Sequence, residues 1–110
     1  MALTPYHNIL GATAQDNELV AIGDISKKSL KAIQITNVDA SAAATVSLYL
    51  YRDSTDTTPE ESIYILHDVV MPYTTGILLD NPNILMFDNG KYSLYMEVGS
   101  SDEIDVILST

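Results

Sequence analysis

Between Ile33 and Arg52 the chain reads IQITNVDASAAATVSLYLYR, with apolar residues on every second position. Ile33 and Ile35 alternate with Gln34 and Thr36; Val46, Leu48 and Leu50 alternate with Ser47, Tyr49 and Tyr51. Successive side chains of a strand point to opposite faces, so this rhythm fits strands with one side on a core and the other in solvent. A helix would need its apolar residues three and four apart. The same rhythm returns in Glu103–Ser109, where Ile104, Val106 and Leu108 alternate with Glu103 and Asp105.

Turn chemistry divides the rest. Glu18–Ile25 is expected to be the first strand, and Asp39–Ala44 a loop between sheet elements. Residues 53–61, DSTDTTPEE, form the clearest loop. Ser62–Met71 is apolar on both parities, which suits a central strand, or one with a partner on its second face. Pro72 closes it, and Tyr73–Asp80 continues to the break at Asn81-Pro82-Asn83. Asn89-Gly90 predicts a two-residue type I′ hairpin, because both positions of that turn need positive φ. Asp88 would then face Lys91, Phe87 would face Tyr92, and Leu85 would face Leu94.

The sum is seven or eight strands at turn spacings of about 8–12 residues, the pattern of an antiparallel β-sandwich, jelly-roll or immunoglobulin-like. At 110 residues the chain suits one domain. Residues 1–17 lack alternation; Thr4-Pro5 to Gly11 suggests a single helical turn, too short to stand alone in water. The segment is therefore expected to be an N-terminal arm, with Leu3, Tyr6, Ile9 and Leu10 seeking a surface on this domain or a neighbour. The sandwich is expected over 18–110.

The net charge is −10, distributed as −3 over residues 1–26, +3 over 27–52 and −10 over 53–110. Such a chain repels phosphate backbones and anionic membranes, so neither nucleic acid nor membrane is an expected partner. The absence of cysteine removes disulfides, thiolate zinc sites and cysteine nucleophiles. The start of the chain has no basic region followed by an apolar run, so no secretory signal is expected.

No catalytic, cofactor or metal constellation stands out. His7 and His67 are the only histidines. His67 shares the parity of Ile63, Ile65 and Val69, which points to a structural histidine facing the core. Asp68 should point to the opposite face and be unable to orient it. Asp53, Asp56, Glu60 and Glu61 offer hard oxygen ligands in one loop but lack the spacing of a calcium-binding EF-hand. The tyrosines are more suggestive. Tyr49, Tyr51 and Tyr95 stand opposite the core parity of their strands, forming an outer aromatic patch beside Met86, and exposed tyrosines favour interfaces.

The stretches LKAIQITNVDASAAATVSLYLYRDS, VVMPYTTGILLDNPNILMFDNGKYSLYMEV and DEIDVILS together resemble small β-sandwich virion proteins of tailed bacteriophages. The elements that carry the resemblance are Ile35-Thr36-Asn37, Thr45–Leu50, Met71–Leu79 and Asp105–Leu108, spanning roughly residues 30–110. Asp88-Asn89-Gly90-Lys91 stands where that pattern usually turns through Gly-Asp. The resemblance implies a non-enzymatic virion component in many copies, assembled in the host cytoplasm without a cofactor. Its partners would be the major capsid, neck or tail protein and further copies of itself. Capsid decoration or cementing is the leading expectation, with a neck, tail or baseplate position next. A carbohydrate-binding module using the tyrosines or the 53–61 loop is the rival from another class, and an enzyme is the third possibility.

Overall fold

The computed structural model describes residues 3–24, 30–55, 57–81, 85 and 87–110. Eight strands build two four-stranded antiparallel sheets: β1 (Leu3–Leu10), β2 (Asp16–Val20), β3 (Ala32–Asn37), β4 (Ala44–Arg52), β5 (Glu61–Met71), β6 (Gly76–Leu79), β7 (Ser93–Val98) and β8 (Glu103–Ser109). Sheet A runs β1-β8-β3-β6 and sheet B runs β2-β7-β4-β5. First pairs with last, second with seventh, third with sixth and fourth with fifth. The chain is thus one long antiparallel ribbon, doubled at the β4–β5 turn and rolled so that successive strands alternate between sheets except at that turn. That topology is the jelly roll, not the immunoglobulin arrangement.

The alternation read from the sequence places the core. Ile33, Ile35, Val46, Leu48, Leu94, Met96, Ile104, Val106 and Leu108 are all buried between the sheets, with Leu50 packed against them. Each fully buried aliphatic side chain of this size contributes about 1.5–3 kcal/mol relative to exposure.

Short loops tie one end of the sandwich together. Asn37 is fully buried. Its Nδ2 donates to the carbonyls of Ala42 (3.0 Å), Met71 (3.1 Å) and Pro72 (3.3 Å), and its Oδ1 accepts from the Asp39 amide. The Asp39 carboxylate accepts the amides of Ser41 and Ala42, which hold its pKa below the ordinary value. Asp102 Oδ2 accepts the Thr45 amide at 2.9 Å, and the Gly11 amide donates to the Asp102 carbonyl. Gly11 passes so close to Gly99 that a Cβ there would meet the Gly99 carbonyl oxygen at 1.7 Å.

Several sequence expectations fail, among them Glu18–Ile25 as the first strand, since β1 precedes it and β2 ends at Val20. Over its described residues, 3–17, the segment expected as an arm is not one: Leu3–Leu10 is the edge strand of sheet A, paired with β8, and β2 begins at Asp16. The alternation is hidden by a bulge between Tyr6 and Ile9, where Asn8 has φ 54°. The expected helical turn is absent, and Pro5 is accommodated because an edge strand can spare an amide.

The Asn89-Gly90 hairpin is absent as well. Neither residue has positive φ, and β7 pairs with β2 and β4 instead. Asn89 is buried, donating from Nδ2 to the carbonyls of Ala21 and Tyr92, while its own carbonyl accepts the Gly23 amide. It clamps the segment after β2 to the approach to β7. Ile84 and Met86 of the expected hairpin, together with Ile25, Lys27 and Lys28, lie outside the described residues.

In addition, β5 is an edge strand, not a central one. Its pairing with β4 shifts between Val46 and Leu48 and again between Leu48 and Tyr49. Two irregularities in eleven residues carry apolar side chains onto both parities, which is what made the strand read as buried on both faces. At the first, Asp68 has φ 50° and its amide donates to Ser47 Oγ at 2.8 Å.

Candidate docking face

The outer face of sheet B carries three tyrosines in one row. Register aligns Glu18 of β2 with Tyr95 of β7, Tyr95 with Tyr49 of β4, and Tyr49 with Tyr64 of β5. The Tyr49 and Tyr95 rings stack at 5.7 Å with planes 16° apart; Tyr49 and Tyr64 lie 5.4 Å apart. Tyr51, one position up on the same face, meets Tyr95 edge-on at 5.7 Å. Tyr49, Tyr51 and Tyr95 are therefore together on one face, as the alternation predicts.

The hydroxyls are bound to carboxylates. Tyr49 Oη donates to Asp16 Oδ1 at 2.8 Å, and Tyr51 Oη to Glu60 Oε2 at 2.9 Å. Burial, and then the Asp16 acceptor, push the Tyr49 pKa well above its ordinary value. The Glu60 and Asp53 carboxylates raise that of Tyr51 to about 12. Tyr95 is raised by burial and by the charge of Glu18. Tyr92 donates to Glu61 at 2.7 Å, which raises its pKa in turn, and the Arg52 guanidinium reaches both Glu61 and the Tyr92 ring. With their pKa values raised, these phenols are neutral donors at neutral pH.

Tyr64 was missed by the sequence reading: its parity opposes that of Ile63, Ile65 and Val69, but a strand apolar on both parities gave no reason to single it out. The irregularities in β5 correct the reading of His67. It is exposed, and its ring lies 4.2 Å from that of Tyr64 instead of facing the core. Asp68, expected on the opposite face, has Oδ2 3.5 Å from His67 Nε2, because the left-handed backbone at Asp68 turns both side chains to one side.

The four residues assigned to an arm divide in two. Ile9 is buried in the core, and Tyr6 packs against it with its hydroxyl donating to the Leu19 carbonyl. Leu3 and Leu10 remain exposed. The outer face of sheet A carries its own row, Pro5, Ile107, Gln34 and Leu78 in register, apolar except at Gln34. Leu78 is 60 % exposed there.

Asp56 of the acidic loop lies outside the described residues, and Glu60 and Glu61 are engaged by Tyr51 and Tyr92. Among the described residues no three metal-ligating groups converge. No family model matches the chain, and it has no significant match among curated proteins or solved structures.

Proposed function

We propose that this chain is a structural protein of a bacteriophage virion, docking on other virion proteins to decorate or cement the capsid. The observation that carries the reading is that both outer faces of the sandwich present apolar or aromatic side chains in register: Pro5, Ile107 and Leu78 on sheet A, with Gln34 between the last two, and Tyr95, Tyr49 and Tyr64 on sheet B. Contiguous exposed apolar surface marks interaction sites. Rows on opposite sides of a thin domain let one copy contact both an underlying shell and a neighbour, which a cementing protein must do. The strand chemistry over residues 30–110 supports the same reading. A neck, tail or baseplate position makes the same demand on the surface and differs in copy number.

Mass spectrometry of purified particles tests the proposal. Copies in the hundreds assign the chain to the head, and copies in the tens or fewer to neck or tail. Absence from particles overturns it. One observation favours a carbohydrate-binding module instead: aromatic rings flanked by carboxylates can stack on a sugar and accept its hydroxyls. Glycan-array binding lost on Tyr64→Ala would establish that reading.

A further inference from the structure

The tyrosine face of sheet B carries a charge of one sign. Five carboxylates, those of Asp16, Glu18, Asp53, Glu60 and Glu97, act on Tyr49, Tyr51 and Tyr95. Asp16 and Glu60 each receive their tyrosine hydroxyl on one oxygen, so the other oxygen can accept from an incoming donor. The lysines and arginine among the described residues stand elsewhere. Lys31 precedes β3, Lys91 follows the Asp88 turn, and Arg52 is engaged by Glu61 and Tyr92.

These features decide between occupants. A second copy of the same face would set carboxylates against carboxylates, and a phosphate backbone would be repelled. An arginine or lysine side chain satisfies both components at once, laying its cation on a tyrosine ring and donating to a carboxylate.

We propose that this face docks an arginine- or lysine-rich segment of a partner protein, its cations over the Tyr95–Tyr49–Tyr64 row and against Asp16, Glu18, Glu60 and Glu97. The inference deepens the docking reading above and rests on it. It also assigns the two faces different roles, with the less acidic sheet A left for other contacts.

The test is titration of the full-length chain with an arginine-rich peptide, followed by amide chemical shifts and affinity. A chain this acidic attracts any polycation, so two double variants of equal charge change are compared. E18Q/E97Q neutralises the tyrosine face; D80N/E103Q neutralises acids associated with sheet A. The expected result is shifts confined to β2, β4, β5 and β7, with binding about tenfold weaker in E18Q/E97Q. D80N/E103Q should change affinity less than about twofold, and Tyr64→Ala should weaken binding without altering the thermal transition. Equal weakening by the two double variants, shifts spread over both sheets, or no binding overturns the inference. So does glycan binding at the tyrosines with no peptide preference for the face. Particle mass spectrometry is independent of this outcome: presence in particles with no face preference sinks only this inference, and absence from particles with face-specific binding sinks only the virion reading.

Discussion

Asn37 holds three carbonyls and one amide with a single buried side chain, so its removal should cost far more than its size suggests. Asn37→Ala leaves those groups buried and unpaired, and a loss of about 2–4 kcal/mol is expected in denaturant unfolding. Gly11→Ala should cost about 3 kcal/mol, because its Cβ would meet the backbone of Gly99 rather than a side chain that can move. The tyrosines give a pH signature. A raised phenol pKa contributes stability that is whole below the ordinary value of 10.0 and is lost as pH rises through the folded value. Stability is therefore expected to fall progressively above pH 10, with Tyr51 ionising near pH 12. An ultraviolet phenolate titration in which Tyr51→Phe removes amplitude from the high-pH end checks this. The tyrosine parity on β4 and β7 was legible in the sequence because those strands are regular. Asn37 was legible only as a letter in a motif, since nothing local distinguishes an asparagine that bonds across more than thirty residues from one in a turn.

Elements were legible where alternation is unbroken and misread where a bulge resets it. β3, β4, β7 and β8 keep their period; β1 and β5 do not, and read as an arm and as a strand either central or with a partner on its second face. Asn89-Gly90 failed differently: the dipeptide favours a hairpin locally, but tertiary bonds to Ala21 and Tyr92 place the asparagine in a clamp. Because β1 belongs to the sandwich, deleting residues 3–10 would uncover the β8 edge and strip Ile9 from the core. Loss of the cooperative thermal transition is expected, and a sharp transition in that deletion would show that β1 is dispensable. The β5 edge carries Ile63 and Val70, at 43 % and 63 % exposure, next to unpaired backbone. Charge on an edge strand opposes pairing with another chain. Val70→Lys should lower self-association in sedimentation while changing unfolding free energy by less than about 0.5 kcal/mol.

At the scale of the molecule, a rolled ribbon makes its first contacts between the most distant parts of the chain, since β1 needs β8 and β2 needs β7. Closing such loops before any reward slows folding, and refolding in milliseconds to seconds is expected by stopped flow. The −10 charge on a compact domain repels itself, so the melting temperature should rise as salt is added from low ionic strength. Sandwich class and strand number were legible from turn spacing, whereas strand order was not, because alternation records which face a residue takes and nothing about its neighbour across the sheet. Strand order has a mechanical consequence. Leu3, where β1 begins, lies beside Ser109, where β8 ends. A force drawing the two ends apart would load the β1–β8 hydrogen bonds one after another, as a zipper opens, and never all together in shear. A chain tethered by both ends would yield at low force, while one held by its sheet faces, as a shell-bound copy would be, leaves that seam unloaded.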